Sequence, residues 1–154
     1  MATDLLWPAG LTFLLGAGAI GDIWQRRLPN WLALLLLVYG LTYAALIDGL
    51  PAMGWHAAHA AIALLVGMVL FAIRAVGGGD AKFYAGAASY FALADGFKLF
   101  AWVSLAGFIT LLIWLVAKRL PPFSKRPREG DFAKFPYGVA VAVGASGFAW
   151  TGAL

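Results

Sequence analysis

The stretch LFAWVSLAGFITLLIWLVA, residues 99–117, carries no charged side chain anywhere along it. A bilayer-spanning helix needs roughly 20 apolar residues, because in hydrocarbon only a helix satisfies each peptide group within its own segment. This stretch therefore predicts a membrane span. Working outward, further apolar runs cover Leu5–Ile20, Trp31–Ile47, Ala57–Ile73, Ala81–Ala94 and Pro136–Leu154, the fourth being the shortest. The whole chain of 154 residues is 63% hydrophobic and 12% charged, about half the ~25% charge of a soluble domain. Such a chain lacks the polar surface to cover a core in water. It reads as one all-α integral membrane domain over residues 1–154, with about six transmembrane helices and the lipid bilayer as its surroundings.

The connections are Gly21–Asn30, Asp48–His56, Arg74–Asp80, Asp95–Lys98 and Lys118–Phe135, most of them punctuated by Gly or Pro. With six spans, the first, third and fifth connections share a face. All but Lys98 of the 11 Lys and Arg residues lie in or beside those three, so the positive-inside rule puts them in the cytoplasm and both termini outside. The net charge of +4 is thus an orientation signal, and nucleic-acid binding is excluded as its explanation. Residues 118–135 hold most of the basic residues, with Pro121, Pro122 and Pro127, and read as an irregular loop attracted to anionic headgroups. Ala17-Gly18-Ala19 has the small residues of a signal-peptide cleavage site, but Asp4 precedes the first run and Arg26 and Arg27 follow it. That charge order is the reverse of a signal peptide's, so the run is expected to stay as a first helix. Zero cysteines exclude disulfides, thiolate zinc sites and cysteine nucleophiles.

Asp4, Asp48, Asp95 and Asp131 fall in termini or connections, where water solvates them. Asp22 closes the first apolar run and Asp80 opens the fourth. The first helix runs inward and the fourth outward, so both carboxylates arrive at the cytoplasmic boundary. Acids at the edge of membrane helices cost free energy and mark function more often than not. Each also has a plainer reading: Asp80 as a helix cap, and Asp22 as the partner of Arg26 one turn later. Gly77-Gly78-Gly79 before Asp80 tips the balance, because three absent side chains let another backbone approach the carboxylate and a cap needs no such run.

Three segments resemble the type IV prepilin peptidases, among the GxGD intramembrane aspartic proteases. Gly21-Asp22 followed by Arg26-Arg27-Leu28-Pro29-Asn30 is similar to the family's first aspartate segment. Gly77-Gly78-Gly79-Asp80-Ala81-Lys82 is similar to its GxGDxK segment, with Phe83 where Leu is frequent, and Phe135-Pro136-Tyr137-Gly138 resembles the start of its last helix. The resemblance implies catalytic residues Asp22 and Asp80 and substrates that are prepilins or pseudopilins, cut where a basic cytoplasmic leader meets an apolar helix. It implies an inner-membrane, multi-pass enzyme working at the cytoplasmic face. The soluble methyltransferase portion and four-cysteine zinc segment of longer members are not seen. The short members serving Flp-type pili are therefore the nearest likeness, and leader cleavage without amino-methyl transfer is expected.

Two close carboxylates do not readily ionise together, so one keeps a proton while the other acts as base. Such a pair activates water directly and is expected to need no metal or other cofactor. Rival readings are weaker. Gly144-Ala145-Ser146-Gly147 fits a GxSG serine-protease pattern, but His56 and His59 precede it and lie at the opposite face from the basic loops. The same two histidines with Asp48 make an incomplete zinc set and read as interfacial polar residues. A proton- or cation-coupled transporter would also use intramembrane aspartates, yet it favours internal repeats and midplane sites, and no repeat is visible.

Overall fold

In the computed structural model, residues 2–25, 27–117, 119 and 135–153 are described. The described residues form an all-helical bundle of six main helices: α1 (Ala2–Gln25), α2 (Asn30–Tyr43), α3 (Leu50–Ala72), α4 (Gly78–Ala88), α5 (Gly96–Ala117) and α6 (Tyr137–Ala153). A π-helical turn, Ala44–Asp48, prolongs α2, and a 3₁₀ turn, Leu93–Asp95, precedes α5. Four segments are long and apolar enough to cross a membrane: Leu5–Gln25, Asn30–Asp48, Leu50–Ala72 and Leu93–Ala117. Their outward sides are apolar, with Phe13 76% and Trp24 73% exposed, the inside-out distribution that lipid permits and water penalises. The chain is thus a multi-pass membrane protein.

Contacts along the bundle fix an alternating order. Gly18 meets Leu32 near one end of the α1–α2 pair and Trp7 meets Tyr39 near the other. Gly67 meets Ala81 where α3 ends and α4 begins, and Gly144 and Gly107 pair with Val103 and Ala140 between α5 and α6. Trp150, late in α6, donates its indole N–H to Thr12, and Gly138, at the start of α6, meets Asp22 near the end of α1, so α6 runs antiparallel to α1. Six alternating helices therefore gather the ends of α1, α3 and α5 with the starts of α2, α4 and α6. Asp22 and Asp80 lie at that end, as the parity of the apolar runs predicts.

The fourth helix departs from the sequence expectation. Helix α4 has 11 residues, about 16 Å at 1.5 Å per residue, half of a ~30 Å hydrocarbon core. The apolar run Ala81–Ala94 is divided, its second part forming a turn and the Leu93–Asp95 helix. A half-helix is tolerated inside a membrane only when protein surrounds it and meets its backbone needs. Both conditions hold. Ala81, Phe83, Ala85, Gly86, Ala87 and Ala88 are buried, against α2, α3 and α6. A Cβ on Gly86 would stand 2.6 Å from the Ala33 carbonyl oxygen, so α2 and α4 touch backbone to backbone.

The carbonyls at the end of α4, which a helix leaves unpaired, each find a donor. The Ser89 hydroxyl donates to the Gly86 carbonyl at 2.7 Å, and the backbone amides of Tyr90 and Phe91 reach the Ala87 and Ala88 carbonyls. His56 Nδ1 donates to the Ser89 carbonyl and His59 Nδ1 to the Phe91 carbonyl, each at 3.0 Å. These histidines are 3% and 4% exposed. They are internal braces of the half-helix, which corrects their reading as interfacial residues. Among the described residues no group of three or more His, Cys, Asp or Glu side chains has metal-binding geometry.

Candidate active site

Asp22 stands one turn before the end of α1 and is 7% exposed. Its Oδ2 accepts a hydrogen bond from the backbone N–H of Gly138 at 2.8 Å. That donor belongs to the first turn of α6, whose free N–H groups and dipole favour a carboxylate. A Cβ on Gly138 would lie 3.0 Å from Asp22 Oδ2 and 3.1 Å from Asp22 Cβ. Glycine at 138 is therefore what lets α6 lay its backbone on the acid. Arg26, the plainer partner offered for Asp22 by the sequence, lies outside the described residues, as do residues 120–134 of the basic loop.

Asp80 sits in the first turn of α4 rather than at its boundary. Gly77 occupies the capping position with extended backbone, and Asp80 Oδ2 reaches back to accept the Gly77 N–H at 3.2 Å. This is the reciprocal half of a capping box: Asp80 braces the helix start from the N3 position, and Gly77, rather than Asp80 as the sequence offered, is the cap residue. A Cβ on Gly77 would stand 2.7 Å from Asp80 Oδ2, so glycine at 77 makes room for the acid of its own helix; the approach of another backbone expected from the glycine run is a separate matter. Gly78 and Gly79 meet their neighbours only at ordinary contact distances of 3.4 Å and beyond.

The two acids line a single cavity of about 790 Å³, together with Leu28, Arg74, Gly77 and Tyr137 among its other walls. They lie within Coulombic reach of each other. The three sequence segments that carry the resemblance meet here. Lys82 Nζ donates to Asn30 Oδ1 at 3.1 Å, joining the GxGDxK segment to Pro29-Asn30, and the Gly138–Asp22 bond joins the last helix to the first. Lys82 thus serves as a tie between α4 and α2.

Two wall residues escaped the sequence reading. Arg74 lines the cavity with φ 61°, the left-handed conformation that side chains other than glycine adopt at a cost. It occupies the reversal of a Schellman turn: the Ala75 N–H reaches the Leu70 carbonyl at 2.8 Å and the Arg74 N–H reaches that of Phe71 at 2.9 Å. Its only signal in sequence is a basic residue where a helix-ending glycine is usual. Tyr137 lines the dyad cavity and also a second, apolar cavity of about 230 Å³ that extends past Asp80. Its neighbour Gly138 attracted notice as part of a segment, while the tyrosine ring gave no sign of its own. Tyr84 lines the second cavity only.

A sequence model described as the type IV leader peptidase family matches residues 9–115, well over half of the chain. No curated protein and no solved structure matches it. The matched region contains Asp22, Asn30, Asp80 and Lys82 and stops before α6, which the Gly138–Asp22 hydrogen bond ties to the same cavity. Segments in family order, a dyad-bearing cavity built from their junction and the family match agree: the chain belongs to the type IV leader peptidase family, whose substrates are prepilins.

Proposed function

We propose that this protein is an intramembrane aspartic endopeptidase that removes the leader of prepilins at the cytoplasmic face of the inner membrane, with Asp22 and Asp80 as its catalytic pair. The observation that carries the reading is the convergence of two carboxylates, from helices far apart in sequence, on one cavity. Close carboxylates share a proton, so the ionised member takes a proton from water as the water oxygen attacks the scissile carbonyl carbon. The protonated member hydrogen-bonds the developing oxyanion. Collapse of the tetrahedral intermediate breaks the C–N bond, and a proton passes from the pair to the departing amine. The Gly138 and Gly77 N–H groups hold the carboxylates in place during these transfers.

The charge distribution supports the orientation: the helix ends that connections one, three and five join lie at the aspartate end, and those connections contain nearly all the basic residues. Both termini are then outside, and all six helices form the membrane domain. The three matching segments support prepilins as substrates; Flp-type prepilins and leader cleavage without amino-methyl transfer are the narrower reading that follows from the likeness to the family's short members. The test is to incubate the purified protein with prepilins from the same cell and determine the mass of each product. A new amino terminus at the junction of basic leader and apolar helix, without an added methyl group, is the expected result. Intact prepilin after incubation contradicts the peptidase reading, while a methylated product contradicts only the restriction to cleavage.

A further inference from the structure

Helix α3 packs on α4 and on the Leu93–Asp95 turn, while α5 packs on α6. Among the described residues, the two long helices α3 and α5 do not pack along each other. Because α4 is a half-helix set behind them, an apolar groove is left between α3 and α5 with α4 as its floor. Val66, Gly67 and Leu70 form one wall, Ala81 and Tyr84 the floor, and Phe100 part of the other wall. The volume is about 230 Å³, less than the ~300 Å³ at which small-molecule sites begin. Val66 and Phe100 are 54% and 58% exposed, so the groove opens sideways towards lipid. His59 and Gly96 close its far end. From His59 to Leu70 is about 16 Å along α3, or roughly three helical turns.

This groove adjoins the dyad cavity, with Val76, Asp80 and Tyr137 lining both. The chemistry changes across that seam. On one side stand Asp22 and Arg74; on the other the lining is apolar save for Asp80 itself, His59 and two tyrosine hydroxyls. Resting on the peptidase reading, we propose that the groove between α3 and α5 is the docking site for the first turns of the substrate's apolar helix, while the polar leader occupies the dyad cavity. The occupant is specified by complementarity. A prepilin changes from polar to apolar at the bond to be cut, and the protein changes from polar to apolar at Asp80. Seating one on the other places the scissile carbonyl beside the acids. The substrate slides in from the bilayer without losing its lipid-like surroundings, and one face of its helix, rather than the whole helix, fills the groove.

The test uses full-length protein in liposomes with a membrane-anchored prepilin. Val66→Trp fills the groove from a partly exposed position; Leu34→Trp, on the exposed side of α2, is the control. The expected result is at least a tenfold fall in kcat/KM for Val66→Trp and wild-type cleavage for Leu34→Trp. In parallel, benzoylphenylalanine placed at position 66 in an Asp80→Asn background should photo-crosslink to prepilin residues just beyond the leader. Wild-type cleavage by Val66→Trp, or crosslinks to lipid alone, overturns the groove assignment and leaves the peptidase reading standing. A wild-type protein that cleaves no prepilin overturns both.

Discussion

The two ends of α4 both bury polar groups in a membrane bundle, and they do so to opposite effect. At its far end the carbonyls of Gly86, Ala87, Ala88, Ser89 and Phe91 are matched to donors from Ser89, Tyr90, Phe91, His56 and His59. Polar groups there are closed off against one another. At its near end Asp80 and Asp22 each accept a backbone N–H yet still face an open cavity. Burial of polar atoms alone thus does not distinguish structure from chemistry. The distinguishing feature is whether the hydrogen-bonding capacity is consumed by the fold or aimed into space that a substrate can enter.

The comparison is sharpened most by Gly138→Ala. The added methyl would press on Asp22 at about 3 Å, so the carboxylate must give by a few tenths of an ångström; since a displacement near 1 Å costs on the order of 10²-fold in rate, this smaller one should cost roughly tenfold. Cleavage should fall by about that factor while helix content, read by circular dichroism, is unchanged. Equal loss of helix content would make Gly138 a folding residue instead.

At the far end, His59→Leu should act on stability. It leaves the Phe91 carbonyl buried without its donor, a loss of about 1–3 kcal/mol. The unfolding midpoint should drop by the corresponding amount, and cleavage measured well below that midpoint should persist, because leucine keeps an apolar side chain at the far end of the groove that His59 closes. Preserved stability with abolished cleavage would move His59 into the chemistry and dissolve the contrast between the ends. The smallest effect is expected for Lys98→Ala. Lys98 pairs with Asp95 at 2.8 Å but is 67% exposed, so its removal should change stability by less than about 0.5 kcal/mol, with cleavage unaltered.

Much of this architecture is legible in the sequence because membranes impose simple counting. The run at residues 99–117, the placement of Arg and Lys and the alternation of six segments bring Asp22 and Asp80 to one end without any knowledge of packing. The half-helix was not legible, since hydropathy registers Ala81–Ala94 as one apolar run and gives no weight to which carbonyls are capped. The histidines were misread for a related reason. Their polarity suggested an interface, while their function depends on backbone carbonyls 32 and 33 residues away. Arg74 and Tyr137 eluded notice because neither residue type is unusual at a membrane edge; only the left-handed turn and the shared cavity walls single them out.

The central claim is that Asp22 and Asp80 form one catalytic unit, and cleavage of a prepilin by Asp22→Asn and Asp80→Asn proteins, with Asp80→Glu beside them, tests it most directly. Asparagine keeps the volume and removes the titratable group; glutamate keeps the charge and moves it by a methylene. All three variants should insert normally, retain helix content and form product at least 10³-fold more slowly than wild type, at matched protein levels and free of wild-type enzyme. Near-normal product from either asparagine variant would contradict the account.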